Sequence, residues 1–183
     1  PNAASLSDIG PEKKPDIRIV GSLKLNAFST PVDETFVDQL RVAAGSRPIL
    51  LAASTHSPEE QILLKASQEV VRAGYPHLLI IAPRHSDRSQ DIARLMPQAA
   101  HRSKNQLPLL GDNHFLADTF GEMNSLVTAA DIVILGGSFV PKGGHNPLEI
   151  AALSTPLITG PSQFKNKVEF DTLQPVSYTH LRA

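Results

Sequence analysis

Asp131-Ile-Val-Ile-Leu135 leads directly into Gly136-Gly-Ser-Phe-Val-Pro-Lys-Gly-Gly-His-Asn-Pro-Leu-Glu149. The apolar run has the length and character of a strand buried on both faces of a parallel sheet. Glycine pairs stand on either side of Ser138-Phe-Val-Pro-Lys142. Asn146-Pro-Leu-Glu149 reads as a helix start, with Asn146 as N-cap, Pro147 at the first helical position and Glu149 closing a capping box. A strand, a glycine-rich loop and a helix N-terminus in this order make either a plain βα connection or an anion site. In the second case glycine admits a ligand to the backbone, and free N–H groups with the helix dipole favour negative charge. The spacing alone leaves both readings open.

The same alternation extends outward on both sides. Pro48-Ile-Leu-Leu-Ala-Ala53 and His77-Leu-Leu-Ile-Ile-Ala82 are two more continuous apolar strands. Between them Ser57-Pro-Glu-Glu60 has the form of a capping box, followed by Ile62, Leu63, Ala66, Val70 and Ala73 at helical spacing, with Gly74 as the stop. Thr30-Pro-Val-Asp33 opens an earlier helix whose apolar face is Phe36, Val37, Leu40 and Ala44, ended by Gly45. Ile17-Arg-Ile-Val20 is a short first strand. Ser86 is placed as the cap of a helix that turns Ile92 and Leu95 inward. A short strand is expected at 114–117, and Thr119-Phe-Gly-Glu122 is a third box, with Met123, Leu126 and Val127 facing the core. Pro156-Leu-Ile-Thr159 closes the series, while residues 97–113 show no clear period. The spacing predicts β-α-β-α-β-α-(β)-β-α-β-α-β, a doubly wound α/β fold on a parallel sheet. Residues 1–16 read as a linker or the end of a preceding element, and 17–173 as one domain.

Composition narrows the function. The chain has 183 residues, a formal net charge of −1 and seven histidines, so it carries no electrostatic footprint for nucleic acid. It has no cysteine, which removes disulfides and thiolate-bound metal. His145 has no second ligand at metal spacing, and no metal is expected. The longest apolar runs are strand-sized and no signal peptide opens the chain, so this domain is expected to be soluble and to need no membrane contact of its own. The chain begins at Pro1 and is read as a fragment or a processed chain. It lacks G-x-G-x-x-G, the P-loop pattern and the G-x-S-x-G elbow, which excludes those three site types. The polar clusters at 21–24, 54–57, 83–85, 118–122 and 136–149 each follow a strand. In an open parallel sheet they converge on the edge where ligands bind.

Taken in order, Gly21-Ser-Leu-Lys24, Ser54-Thr-His56, Pro83-Arg-His85, Asp118-Thr-Phe-Gly-Glu122 and Gly136-Gly-Ser…Gly143-Gly-His-Asn-Pro-Leu-Glu149 resemble one family. It is the C-terminal half of the 3-deoxy-D-manno-octulosonic acid (Kdo) transferases, glycosyltransferases of lipid A biosynthesis, and the resemblance covers roughly residues 17–170. It implies the Rossmann-like C-terminal domain of a GT-B glycosyltransferase that moves Kdo from CMP-Kdo to a lipid A precursor with inversion. CMP-Kdo is then the donor substrate, and no cofactor is implied. The family places its general base, a glutamate, on an N-terminal domain that this chain lacks. No catalytic residue is therefore expected here, and the chain alone should transfer nothing. The full enzyme would work at the cytoplasmic face of the bacterial inner membrane.

The resemblance also implies CMP contacts at Pro83, Arg84, Phe120, Gly121, Glu122, Asn146, Pro147, Leu148 and Glu149. Phe120 stands where the family pattern has methionine. Arginine suits a phosphate bidentately, and Glu149 suits the ribose hydroxyls. A carboxylate repels phosphate, so the phosphate is placed on the N–H groups of Gly143, Gly144 and His145. Lys24, Ser54, Thr55 and His56 are further candidates for the phosphate or the sugar. The tail, Gln174 to Ala183, departs from the family and reads as a cloning or assembly junction. Two other readings remain: a GT-B domain for a UDP-sugar, and a non-catalytic α/β nucleotide-binding module.

Overall fold

The computed structural model describes residues 31–173. The strand expected at 17–20, Lys24 and the tail from Gln174 lie outside the described residues. The elements are α1 (Glu34–Ala44), β1 (Ile49–Thr55), α2 (Glu59–Arg72), β2 (Leu78–Pro83), α3 (Ser89–Leu95) and β3 (Ala100–His101). They continue with β4 (His114–Leu116), α4 (Met123–Ala129), β5 (Ile132–Leu135), α5 (Leu148–Ala152), β6 (Leu157–Thr159) and α6 (Lys167–Leu173). The strands form one parallel sheet in the order β3-β4-β2-β1-β5-β6. The doubly wound fold read from the alternation is present. The chain winds from β1 to β2 on one side and returns to β5 on the other, so the order reverses at β1. The crevice beyond the ends of β1 and β5 is where such sheets place their ligands.

Two apolar layers explain the continuous strand runs. On one face Ile49, Leu51, Leu78, Ile80, Val133 and Leu135 pack with Phe36, Val37 and Leu40 of α1 and Leu126 and Val127 of α4. On the other, Ala52, Leu79, Ile81 and Leu116 pack with Leu64 of α2 and Ile92 of α3. Strands covered on both sides have no polar face to alternate with. Helix α1 begins after the Thr30–Asp33 signature rather than within it: it starts at Glu34 with Asp33 as the N-cap, whose Oδ1 accepts the Phe36 N–H at 3.1 Å, and Gly45 ends the helix at φ 63°.

Helix α2 departs from its expected form. The Ser57–Glu60 box does not form; the helix starts at Glu59, after a cis Ser57–Pro58 bond, with no side-chain cap. Glu59 and Glu60 are buried and turn to partners inside the fold. Glu60 Oε1 accepts the Thr55 hydroxyl at 2.8 Å, and Arg88 pairs with both Glu60 oxygens at 2.8 and 3.0 Å. The helix is thereby rotated so that Leu64 and Ser67 point inward, while Ile62, Ala66, Val70 and Ala73 are exposed. An unpartnered buried carboxylate costs about 3–5 kcal/mol, more than the roughly 1.5–3 kcal/mol gained by burying one aliphatic side chain. Hydrophobic spacing registers only the smaller term.

Smaller departures have similar causes. Ser86 opens a 3₁₀ turn rather than capping the helix; α3 starts at Ser89, buries Ile92 and leaves Leu95 exposed. The Thr119–Glu122 box is also absent: α4 begins at Met123 with no side-chain cap, and the Glu122 carboxylate accepts from Thr119 and Arg102. The sequence does not reveal β3, which has only two residues and no room for a period. Nor does it reveal α6, which buries a single residue, Phe170.

Candidate functional site

A crevice of about 330 Å³ opens at the switch point, at the small end of the range for ligand pockets. Its floor is the ends of β1, β2 and β5 at Ala53, Ala82 and Leu135, and its walls come from four loops. Of the residues singled out in the sequence, Ser54, Pro83, Arg84, Phe120, Gly121, His145, Asn146 and Glu149 line it. They come from four separated stretches, and the sheet order brings them together.

The crevice shape depends on a break in β1. Ser54 sits at φ 56°, and the pairing of β1 with β2 slips between Ala53 and Thr55. A serine held in the left-handed region costs about 1–2 kcal/mol, and such strain gathers at functional sites. The slip drives the Ser54 carbonyl against Gly136. A Cβ on Gly136 would stand 2.4 Å from that oxygen, so glycine is required there.

The glycine loop is not the amide cradle its composition suggested. Gly143 N–H donates to Ser162 Oγ at 3.0 Å, and Gly144 N–H donates to the Gly137 carbonyl at 2.8 Å. Gly137 and Phe139 N–H donate to Glu59 at 2.8 and 3.0 Å. The placement of phosphate on the Gly143 and Gly144 amides is therefore corrected, because both donors are engaged within the protein. The His145 N–H has no partner among the described residues. The loop gains rigidity from these bonds, and side chains are left to face a ligand.

Arg84 follows β2 and is exposed, with no carboxylate paired to it among the described residues. Glu149 is likewise exposed on the crevice wall and closes no capping box. Asn146 does cap: its Oδ1 accepts the Leu148 N–H at 3.1 Å. Pro147 and Leu148 sit in the helix start and do not line the crevice. Gly121 adopts φ 84°, with open space where a Cβ would stand. Phe120 beside it is 69% exposed at the rim.

Several expected contacts are committed elsewhere. Arg102 Nε lies 2.9 Å from Glu122 Oε1, and its guanidinium stacks 4.3 Å from the centre of the Phe36 ring. The Arg102 pair holds the Glu122 carboxyl below the usual range against the effect of partial burial. Thr55 is fully buried, and its hydroxyl serves Glu60. His56 Nε2 meets His145 Nε2 at 2.9 Å with the rings stacked, and His85 meets His56 edge-on. Burial, then the fields of His56, Arg84, Lys165 and His85, push His145 down to about 4. Burial also lowers His56, partly offset by Glu59. The pair is therefore neutral at pH 7. Among the described residues no group of three or more acidic, histidine or cysteine side chains is arranged to hold a metal ion.

Sequence reasoning missed Glu59, whose buried carboxylate receives three backbone N–H groups, from His56, Gly137 and Phe139. The missed signal is a second glutamate directly before Glu60 in a segment read only as a cap. It also missed Asp118, which accepts both the N–H and the hydroxyl of Ser103 at 2.8 Å. Burial raises its pKa, but those bonds outweigh it and leave the carboxyl below its usual range.

The fold and crevice define a Rossmann-like α/β domain with its ligand edge at a switch point. Comparison with known proteins makes this specific. The 3-deoxy-D-manno-octulosonic acid transferase of Haemophilus influenzae is 38% identical, over 82% of this chain and 36% of its own length. The enzyme of the same name in Bordetella pertussis is 32% identical over 81% and 36%. The crystal structure of the C-terminal CMP-Kdo binding domain of WaaA from Acinetobacter baumannii superposes with a TM-score of 0.69 at 29% identity, covering 78% of this chain and 79% of that one. No family model matches the chain. The chain belongs to the Kdo transferase family, and it spans about a third of the length of the curated relatives it matches.

Proposed function

We propose that this chain is the donor-binding half of an inverting glycosyltransferase that moves Kdo from CMP-Kdo to a lipid A precursor. The observation that carries the proposal is the convergence of Arg84, Gly121, Asn146 and Glu149 on one crevice at the switch point. An unpaired cation and an unpaired carboxylate on the same small cavity suit a nucleoside monophosphate, which has an anion at one end and ribose hydroxyls in the middle. Arg84 takes the phosphate, and Glu149 accepts from the ribose hydroxyls. The open backbone at Gly121 lets the base edge approach the main chain.

The chemistry follows from where charge appears. As the bond between the anomeric carbon and the phosphate oxygen breaks, CMP leaves with an added negative charge. Arg84, on the crevice wall, stabilises that charge. The acceptor and the base that deprotonates it belong to the part of the relatives not covered by this chain. The complete enzyme is placed at the cytoplasmic face of the inner membrane. Among the described residues, no helix is long and apolar enough to cross a membrane.

Calorimetric titration of the chain with CMP, cytidine and UMP tests the reading. CMP should bind more tightly than UMP. Glu149→Gln should weaken CMP and cytidine alike by about tenfold, one hydrogen bond to a charged group. Arg84→Ala should weaken CMP far more than cytidine. UMP binding as tightly as CMP would overturn the assignment of the donor.

A further inference from the structure

Thr119, Phe120 and Gly121 form one wall of the crevice and belong to no helix or strand. Among the described residues their backbone N–H groups have no partner. A wall without backbone bonds of its own takes its position from whatever fastens its two ends. Both fastenings come from the 3₁₀ turn Arg102–Lys104, which follows the edge strand β3. At one end the buried Asp118 accepts the Ser103 N–H at Oδ1 and the Ser103 hydroxyl at Oδ2, each at 2.8 Å. At the other, Arg102 Nε lies 2.9 and 3.1 Å from the two oxygens of Glu122, and Nη2 donates to Oε1 as well. The Thr119 hydroxyl donates to the same carboxylate. The turn is held in its own right. The Arg102 guanidinium stacks on Phe36, a core residue of α1, and Gln106 bonds back to His101 through its side chain at 3.0 Å and its N–H at 3.1 Å. A chain of contacts therefore runs from the core through Arg102 and Glu122 to the crevice wall. Neither Arg102, Ser103 nor Glu122 lines the crevice.

We propose that Arg102 and Ser103 are positioning residues for base discrimination: by fastening Glu122 and Asp118 they hold the Gly121 main chain in the one orientation that tells a cytosine edge from a uracil edge. This rests on the nucleotide reading above and adds to it two residues outside the crevice. Cytosine presents an amino donor where uracil presents a carbonyl acceptor. A main-chain group separates the two only if it cannot turn. A peptide free to rotate offers its N–H to one base and its C=O to the other, and both are then served. Gly121 is poorly restrained from within: it stands at φ 84° with nothing within 4 Å of a Cβ position. Its restraint must come from its neighbours, and Asp118 and Glu122 are the neighbours that are tied down. Arginine suits the task because its planar fork meets both carboxylate oxygens and so fixes direction as well as distance. The Arg102 charge also neutralises Glu122, whose carboxylate would otherwise stand unpaired next to a crevice that takes an anion.

The test is titration of the starting chain, R102M, R102K and S103A with CMP, cytidine and UMP, at a temperature where each variant is folded. In R102M, CMP and cytidine should weaken by the same factor, about 3- to 10-fold, the worth of one well-placed hydrogen bond. UMP should change less, so the CMP-to-UMP preference falls towards one. R102K keeps the charge but cannot bridge both oxygens, and S103A keeps the N–H bond to Asp118; both should fall between the starting chain and R102M. The backbone order parameter at Gly121, from ¹⁵N relaxation, should drop in R102M from the rigid range near about 0.85 towards the flexible range below about 0.6. A preference that R102M leaves intact overturns the proposal. So does an equal loss for CMP and UMP, which would make the turn a structural support and no more. Where R102M does not fold, R102K and S103A decide by the same two criteria. A starting chain that binds UMP as tightly as CMP would instead overturn the nucleotide reading itself.

Discussion

Glu59 Oε2 accepts the Gly137 N–H at 2.8 Å, joining two residues 78 apart in sequence. The same oxygen accepts His56 N–H at 2.9 Å, and Oε1 accepts Phe139 N–H at 3.0 Å. One fully buried carboxylate thus ties the end of β1 to the turn that follows β5, across the switch point. It acts as a built-in anion for the glycine loop.

Glu59→Gln should show that dependence. An amide offers one oxygen where the carboxylate offers two, and its NH₂ group meets a backbone N–H donor. One N–H is left buried and unpaired, at about 1–3 kcal/mol. Urea unfolding should shift its midpoint down with unchanged slope, and CMP should bind more weakly under conditions where the variant is folded. An unshifted midpoint would mean that the three N–H groups find other acceptors.

Gly136→Ala should be destabilising by about 1–3 kcal/mol or more, because the new methyl meets the Ser54 carbonyl and both neighbours are backbone. Gly74→Ala is the control for backbone strain alone: Gly74 has a positive φ but nothing within 4 Å of its missing Cβ. Thermal melts of the two should separate the clash from the strain, with the larger drop at Gly136.

Acid should loosen the site through His145. Its pKa is about 4 in the fold against 6.5 when exposed. Between those values the unfolded chain binds a proton that the folded chain refuses, so stability falls as pH drops from about 6.5 towards 4. His145→Asn should flatten the pH dependence of the melting temperature in that window. A phosphate bound near His145 would raise its pKa, so CMP binding at pH 5–5.5 should take up protons. Titrations in buffers of different ionisation heat measure that uptake.

Much of the fold was legible because strand burial leaves a direct trace in sequence. Ile49 to Ala53 and Leu78 to Ala82 are apolar without interruption because helices cover both sides. Helix rotation was less legible. In α2, Glu59 and Glu60 found partners on Thr55, Arg88 and three backbone N–H groups, and those bonds outweighed the apolar face of Ile62 and Val70. The capping boxes at Ser57 and Thr119 failed for the same reason, since each glutamate had a stronger partner elsewhere.

Among the candidate site residues, those placed by strand ends came together: Ser54, Pro83, Arg84, Phe120, Gly121, Asn146 and Glu149 share the crevice. Arg102 on Glu122, Arg88 on Glu60 and Glu59 on the glycine loop were invisible beforehand. Each is a pairing over a sequence distance that no local pattern encodes.

The sequence by itself determined the alternation, the parallel sheet and the edge at which the polar clusters gather, because these follow from periodicity and connection length. Only the tertiary structure decided which polar groups remain free for a ligand. A donor or acceptor is available only if nothing inside the fold has already satisfied it. In this protein Glu59 and Ser162 satisfied the loop that the sequence offered as the anion site, and Arg84, Lys142 and Lys165 were left exposed around it.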